Sequence, residues 1–364
     1  MKLYYPDFYK DFHCLAGDCP DSCCRQGWQI PVDKKHLQFY AEMPAPLGDK
    51  VRAALTEIDG ETVFSMKDGV CTLLDARGLC PIAAQYGEEG LCGICHTHPR
   101  FVEEYGGTRE YHFSLSCPMA ARLVLERKTP IRFLTEQTEE EVTSVNDIDP
   151  REYFALLGIR NFAVKLMQAR RLSLCDRLAL LLRFSQKVQR CFDAGRFEDW
   201  RYFASRFCDP DYRARQLAKV RRLRHHGTSF LPDIALLREL ERLTDELPPL
   251  LHKAVFTTKS AADFDRENAA ALEHLTVLWL AHYIPKAVND GRVDTKILLA
   301  VFLTLTLRRL AVCTDSSVSS LASLLAKEIE HNEDNLAHLY HRWSRENWTA
   351  HFLAQLDGGI HHAI

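Results

Sequence analysis

The sequence predicts a mainly α-helical protein in which a small, irregular, cysteine-rich metal-binding module packs on an all-α helical domain. Two observations lead to this prediction. Nine of the 13 cysteines and 11 of the 17 glycines lie within the first 130 residues. After residue 130 the chain is rich in leucine and carries apolar residues at three- and four-residue spacing, which is typical of packed helices. We therefore place the cysteine-rich module at residues 1–130 and the helical domain at residues 131–364.

Few regular elements are predicted in the first module. Residues 32–40 and 50–58 are predicted as short helices, and residues 62–66 and 111–115 as short strands. The two glycines within residues 105–108 predict a hairpin turn. Because so little regular structure is available, we expect a metal centre to supply part of the folding free energy of this module.

Seven helices are predicted in the second part, because apolar residues recur there at helical spacing and prolines and glycines separate the runs. They cover residues 153–169, 172–192, 211–225, 234–247, 261–282, 295–312 and 318–343. Residues 146–150, with the sequence Asn-Asp-Ile-Asp-Pro, predict a helix start or a linker before the first of them. Trp279 and Tyr283, which lie on or directly after an apolar helix, are predicted as core residues.

The composition is that of a soluble globular protein, with 46% hydrophobic and 26% charged residues in a chain of 364. The formal net charge is −3, whereas a protein that binds nucleic acid mainly through charge is usually basic. The longest apolar run, residues 297–307, is much shorter than the about 20 residues of a membrane-spanning helix. No apolar targeting segment is visible near residue 1, and we predict a cytoplasmic protein.

The cysteines carry the main chemical prediction, since closely spaced cysteines in a reducing compartment indicate metal or redox chemistry rather than disulfides. Cys92 and Cys95 are two residues apart, which lets both thiolates bind one metal. Thiolates suit zinc and iron–sulfur clusters rather than magnesium or calcium. The predicted metal ligands are Cys14, Cys19, Cys23, Cys24, Cys71, Cys80, Cys92, Cys95 and Cys117. One cluster needs four, and the sequence does not divide the nine between ligands and neighbours.

The remaining histidines and cysteines, and a basic stretch, are more simply interpreted as structural or surface residues. Histidines beside a metal site are more often neighbours than ligands, and this applies to His13, His96, His98 and His112. Isolated cysteines in predicted helices are usually small buried apolar residues, and this applies to Cys175, Cys191, Cys208 and Cys313.

A basic stretch on one predicted helix is most simply a solvated face, with docking of an acidic partner or of nucleic acid as the alternative. It contains Arg213, Arg215, Lys219, Arg221, Arg222 and Arg224.

The cysteines belong to a longer ordered set of motifs within residues 8–125. The set reads Cys14-x4-Cys19-x3-Cys23-Cys24-x3-Trp28, then Asp33, Cys71, Leu79-Cys80-Pro81, Leu91-Cys92-x2-Cys95, Pro99-Arg100 and Leu115-Ser116-Cys117-Pro118. This order resembles the bacterial flagellin lysine-N-methylase family. The part from Cys19 to Cys24 is also similar to a broader family of zinc- or iron-chelating cysteine-cluster domains.

The resemblance implies a protein-lysine N-methyltransferase that transfers methyl groups from S-adenosylmethionine to surface lysines of flagellin. It also implies an iron–sulfur cluster of the four-iron type, with zinc as the alternative metal. We expect the helical domain to recognise the substrate, because the cysteine module alone is too small to bind both the donor and a protein. The sequence shows no glycine-rich strand-to-helix turn of the kind found in doubly wound methyltransferases. It also lacks the C-x3-C-x2-C spacing of radical enzymes, because Gln26 stands where the third cysteine after Cys19 and Cys23 is needed. Catalytic and cofactor-binding residues therefore stay unassigned. A non-enzymatic metal-binding protein and a redox iron–sulfur protein are the alternatives.

Overall fold

The computed structural model describes residues 1–141, 148–224, 232–256, 262–314 and 316–356. The described chain is mainly helical, which confirms the predicted mainly-α class. Asn146 and Asp147 of the predicted linker, and His225 and Ala261 at the ends of two predicted helices, lie outside the described residues.

Short strands occur almost entirely in the first part of the chain. They are β1 Lys2–Pro6, β2 Ile30–Pro31, β3 Leu55–Ile58, β4 Glu61–Phe64, β5 Met66–Lys67, β6 Val70–Cys71, β7 Arg100–Tyr105, β8 Thr108–Phe113 and β9 Phe133–Gln137. The largest sheet has the order β7-β8-β1-β9, in which β1 is parallel to β8 and antiparallel to β9. A three-stranded sheet has the order β2-β4-β3, and β5 pairs with β6.

Helices make up most of the remaining structure. They are α1 Lys34–Glu42, α2 Leu47–Ala53, α3 Pro81–Tyr86, α4 Gly93–Thr97, α5 Pro118–Leu125, α6 Pro150–Met167, α7 Leu174–Asp193, α8 Trp200–Cys208, α9 Pro210–Arg224, α10 Pro232–Glu239, α11 Leu247–Phe256, α12 Ala262–Tyr283, α13 Val293–Thr314, α14 Val318–Leu325, α15 Glu333–Arg345 and α16 Trp348–Gln355. A π-helical segment, Ala326–Glu330, follows α14 directly.

Helix α13 lies at the centre of the helical core and packs against α7, α11, α12 and α14. Within the described part of the chain it alone is long and apolar enough to cross a membrane. However, 89% of its most apolar window is buried by the surrounding helices. This is the environment of a core helix, so α13 does not indicate a membrane span.

The first 130 residues contribute to two hydrophobic cores. Ile30, Tyr40 and Phe64 belong to a core formed within residues 30–92. Phe8 and Leu115 instead belong to the large core that the helices share. The four-stranded sheet and the segment after it therefore pack directly against the helical part, and the interface between them holds the polar residues described below.

The structure corrects several predicted elements. The predicted helix at residues 50–58 ends at Ala53, and β3 begins at Leu55 because Asp59 and Gly60, both with positive φ, form a tight turn into β4. The predicted helix at residues 234–247 ends at Glu239, and Leu247 begins α11, whose two prolines are tolerated in its first turn. The strand β9 and the helices α8 and α16 were not predicted.

The predicted helix at residues 318–343 is also interrupted. It is divided into α14, the π-helical segment and α15. Asn332 caps α15, because its side-chain oxygen accepts a hydrogen bond from the backbone N–H of Asn335. The interruption matters for function, because π-helical turns are frequent at functional sites and this one ends at a buried glutamate.

Candidate metal centre and the buried acid–histidine cluster beside it

The nine N-terminal cysteines, which come from four separate stretches of sequence, lie in one region of the fold. The charges of Cys14 and Cys117 act on Cys23, although about a hundred residues separate the two ends of this set. The charges of Cys24, Cys80 and Cys92 likewise act on Cys71. Electrostatic effects weaken with distance, so groups that shift one another's pKa in a partly buried site lie in the same region. These effects indicate that the predicted ligands lie in one region of the fold, and none of the 13 cysteines, all of which the structure describes, forms a disulfide.

Two pairs of thiols are hydrogen-bonded. In the first pair, the hydrogen bond between the two thiols lowers the pKa of Cys24 and raises that of Cys23. In the second, the same effect lowers the pKa of Cys92 and raises that of Cys95. Each pair thus contains one thiol that ionises readily, and the resulting thiolate is the form that binds metals.

Three cysteines stand directly before a helix. Cys80, Cys92 and Cys117 are the residues that precede the first turns of α3, α4 and α5. Burial raises the pKa of the Cys80 and Cys117 thiols, and backbone N–H groups in the following turn oppose that effect. Backbone N–H groups directed at sulfur are the usual support of thiolate ligands in iron–sulfur sites.

The donor set therefore fits a thiolate-ligated metal centre in its chemistry. The side chains, however, lie farther apart than metal ligands do. Within the described ranges, no group of three His, Cys, Asp or Glu side chains is close enough to hold a metal ion. The thiols come together in pairs, and the loops that carry them must close further for a third and a fourth ligand to bind the same cluster.

The other cysteines and the candidate histidines are placed as follows. Cys191 and Cys313 are buried in helices as predicted, whereas Cys208 is exposed, because it ends α8 on the solvent side. His13 is exposed and His96 contacts the backbone oxygen of Glu88. His112 is buried and His98 is partly buried, and each lies among aromatic or charged neighbours.

A second group of polar residues is buried where the four-stranded sheet meets α12. The rings of His112 and His282 stack with their centroids 4.8 Å apart. His112 Nε2 lies 3.3 Å from Glu110 Oε2, and the Arg160 guanidinium donates to both oxygens of Glu110 at 2.7 and 2.6 Å. At the other end, His282 Nε2 lies 3.7 Å from Glu103 Oε1. The cluster thus links strands β7 and β8 to helices α6 and α12.

Glu330 lies on the inner side of this cluster. Its Oε1 atom accepts a hydrogen bond from the Tyr283 hydroxyl at 3.3 Å, and its Oε2 atom has no hydrogen-bond partner. A narrow cavity without room for a water molecule separates it from the histidines. The cavity is lined by His112, Phe113, Leu115, Leu278, Trp279, His282 and Glu330. A buried carboxylate oxygen without a partner is uncommon and calls for an explanation, of which a catalytic role is one.

The burial of this cluster changes its protonation. Burial raises the pKa of Glu330 to about 7, against the opposing effects of Tyr283, Trp279 and Lys286. Burial lowers the pKa of both His112 and His282, which are therefore neutral near pH 7. Glu330 can consequently exchange a proton near neutral pH, which is the property of a general base.

His331 connects this cluster to the cysteine region. Its Nε2 atom is hydrogen-bonded to the Ser114 and Ser116 hydroxyls at 2.6 and 3.1 Å, and its ring packs against Trp28 with centroids 4.5 Å apart. On the same segment, Lys327 forms an ion pair with Asp21 at 2.7 Å. The π-helical segment and His331 therefore contact the cysteine loop on one side and place Glu330 in the cavity on the other.

Sequence reasoning missed Glu330, His282 and the lining role of Trp279. The prediction that Trp279 and Tyr283 are buried is confirmed, but both also face the cluster. The sequence contained only a weak signal for Glu330. This residue directly follows the buried Ile329 in a segment whose apolar periodicity is broken by the π-helical turn.

Comparison with known proteins gives one family. The family model of the FliB lysine N-methylase C-terminal domain matches residues 160–356. No curated protein and no solved structure matches the chain significantly. The matched region covers the helical part, including α12 and the π-helical segment, whereas the cysteine motifs lie before it.

Proposed function

Because the chain belongs to the FliB lysine N-methylase family, we propose that it transfers methyl groups from S-adenosylmethionine to surface lysines of flagellin and carries a cysteine-ligated iron–sulfur cluster. The family supports a lysine methyltransferase role directly. The donor, the flagellin substrate, the cluster and the cytoplasmic location are the finer parts of the proposal. The observation that carries it is the family match over residues 160–356, in which Glu330 lies.

Methylation requires that a lysine ammonium first lose a proton. The ordinary pKa of lysine is about 10.4, so the amine needs both desolvation and a proton acceptor. We assign the role of proton acceptor to the Glu330 carboxylate. It is buried, its Oε2 atom is unpartnered, and the aromatic side chains of Trp279 and Tyr283 lie around it. An aromatic wall stabilises an ammonium group before it is deprotonated.

The proton transfer and the methyl transfer need no reagent besides Glu330 and the methyl donor. The ammonium proton moves to Glu330, and the neutral amine nitrogen bonds to the methyl carbon of the donor. The carbon–sulfur bond of the donor breaks, its electron pair stays on sulfur, and the methylated amine carries the positive charge. Because the cavity has no room for a water molecule, an entering lysine must displace the surrounding side chains. Glu103 and Lys286, which are partly exposed and 2.5 Å apart, are the closest charged residues to His282 on the solvent side.

The cluster would be held by members of the nine-cysteine set. When bound, it supplies a redox-active thiolate-ligated iron centre and fixes the loops that carry its ligands. Cys92 and Cys95, separated by two residues, form one pair of predicted ligands. Backbone N–H groups support the sulfurs of Cys80, Cys92 and Cys117.

Methyl transfer to flagellin is the direct test of this function. Purified cognate flagellin, incubated with cluster-loaded enzyme and S-adenosylmethionine, should gain mass in steps of about 14 Da, the change for one methyl group on an amine. Intact-protein mass spectrometry measures this, with a reaction lacking the donor as control. If the cluster is intact and the donor binds, yet flagellin gains no mass, the methylase assignment is wrong for this chain.

Cysteine substitutions should divide into two groups. We expect Cys92→Ser and Cys95→Ser to lower the iron and sulfide content of anaerobically purified protein and to weaken its absorption near about 400 nm. Cys191→Ser and Cys313→Ser are the matched controls, because both are buried in helices away from the cysteine region. Loss of iron in Cys313→Ser with full iron in Cys92→Ser would contradict this division, and stoichiometric zinc without sulfide would replace the cluster by a zinc site.

A further inference from the structure

A positively charged surface lies on the helical part, outside the cysteine region and the acid–histidine cluster. We define this basic face by Arg183, Lys187 and Arg190 on α7 and by Arg215, Lys219 and Arg222 on α9. Residues 215, 219 and 222 follow one another at helical spacing and therefore share one side of α9. Arg183 Nε on α7 donates to Gln216 Oε1 on α9 at 3.3 Å, which joins the two helices into one surface.

The charges of the basic face are not neutralised by the fold. Within the described ranges, none of its six cations forms an ion pair with a carboxylate, although most exposed arginines elsewhere do. Arg190, Arg215, Lys219 and Arg222 are exposed. Partial burial lowers the pKa of Lys187, and the neighbouring charges of Arg190, Arg183 and Lys219 lower it further. At least four like charges, those of Arg183, Lys187, Arg190 and Lys219, are thus held close together in a chain whose net charge is −3. A partner that supplies carboxylates would relieve their repulsion.

We propose that the basic face is the docking surface for an acidic surface of the protein substrate; the identity of that substrate rests on the function proposed above. Arginine presents a planar fork that matches a carboxylate, and four of the six residues are arginines. The face also ends at a recess. Arg190 lines a polar cleft of about 320 Å³ between α7, the start of α13 and the end of α15. Its lining holds Asp193, Asp294 and Glu346 as well as Arg292 and Arg345, so the cleft marks the edge of the basic face and is not part of it.

Protein is favoured over nucleic acid by the lack of a stacking platform. Single-stranded nucleic acids bind through aromatic rings as well as basic residues. The aromatic residues of α7 that the structure describes, Phe184 and Phe192, are buried. Tyr212 on α9 is partly buried, and the Arg206 guanidinium lies 4.8 Å from its ring centroid. The described parts of the two helices that form the basic face therefore offer charge without exposed rings, and the exposed Tyr202 lies on the neighbouring helix α8.

The test compares two charge-reversal variants of the full-length, cluster-loaded protein. The first carries Arg215→Glu, Lys219→Glu and Arg222→Glu, all exposed on α9. The control carries Lys34→Glu, Lys35→Glu and Lys50→Glu, which are exposed on α1 and α2 and change the net charge equally. Binding to cognate flagellin and to a polyglutamate peptide is measured by calorimetry at several salt concentrations.

We expect the α9 variant to bind both probes at least about tenfold more weakly than wild type, with a smaller salt dependence, and the control to bind as wild type does. Methylation of a short unstructured lysine peptide should be unchanged in both variants, because the basic face is remote from Glu330. The docking proposal is overturned if the α9 variant and the control bind flagellin and polyglutamate equally. It is also overturned if the wild type prefers single-stranded RNA over both probes through the same residues. Absence of methylation by wild type, with binding still lost in the α9 variant, would refute the proposed function but not the docking surface.

Discussion

Glu330→Gln is expected to lower kcat for lysine methylation by about 100- to 10,000-fold, the range produced by loss of a general base. Glutamine keeps the shape of the side chain and can still accept the Tyr283 hydroxyl hydrogen bond, but it cannot take a proton. The wild-type rate should rise with pH through about 7 as Glu330 ionises, and the variant should lack this rise. Steady-state methylation assays between pH 6 and 9 measure both effects.

The stability of this variant separates catalysis from folding. Burial raises the pKa of folded Glu330 from 4.5 to about 7. The neutral carboxyl therefore stabilises the folded state fully below its unfolded pKa, and this stabilisation is lost as pH rises through about 7. Glutamine is neutral at every pH, so Glu330→Gln should be at least as stable as wild type at pH 8. Glu333→Gln, at an exposed position three residues later, is the matched control for activity. A kcat for Glu330→Gln within about threefold of wild type would refute the assigned role.

Glu273→Ala is expected to lower the free energy of unfolding by about 3–5 kcal/mol, the usual effect of removing one partner of a buried ion pair. Glu273 is 1% exposed on α12, and its Oε2 atom accepts a hydrogen bond from Arg177 at 2.6 Å. Arg170 donates to the same carboxylate at 3.0 Å. Removal of the carboxylate leaves the buried Arg177 without its counter-ion, and α7 and α12 lose their main polar contact.

Urea unfolding followed by circular dichroism measures this loss. The matched control is Glu267→Ala, at an exposed position on the same helix, which should leave the unfolding transition unchanged. A Glu273→Ala transition that coincides with that of the control would show that Arg177 finds another partner, and the buried network would then not stabilise the contact between α7 and α12.

Much of the fold could be predicted from the sequence, because helical periodicity follows directly from burial. The helices α6, α7, α12 and α13 lie within about three residues of their predicted ranges at each end. Two errors at the ends of predicted helices share one cause, which is that local turns override periodicity. Asp59 and Gly60 convert the end of a predicted helix into a hairpin, and Asn332 starts a new helix where one long helix was predicted.

The site was predicted only in part. The cysteine ligand set stays a prediction; it could be made because the spacing of the cysteines is a chemical pattern within the sequence, and the structure brings them into one region. The acid–histidine cluster could not be identified, because it joins residues that are 50 or more positions apart in the sequence. Glu110 with Arg160 and His112 with His282 meet only through the packing of the sheet on α6 and α12. Spacing in the sequence carries no information about such contacts.

The central claim is that this chain methylates lysine side chains, and isotope transfer tests it most directly. Cluster-loaded enzyme is incubated with cognate flagellin and S-adenosylmethionine bearing a trideuterated methyl group, and tryptic peptides are sequenced by mass spectrometry. The account predicts mass increments of about 17 Da located on lysine, since a methyl group bearing three deuterium atoms replaces one hydrogen while the amine keeps its charge. Label on carboxylate or amide side chains, or unlabelled flagellin from an enzyme that holds its cluster and binds the donor, would contradict it.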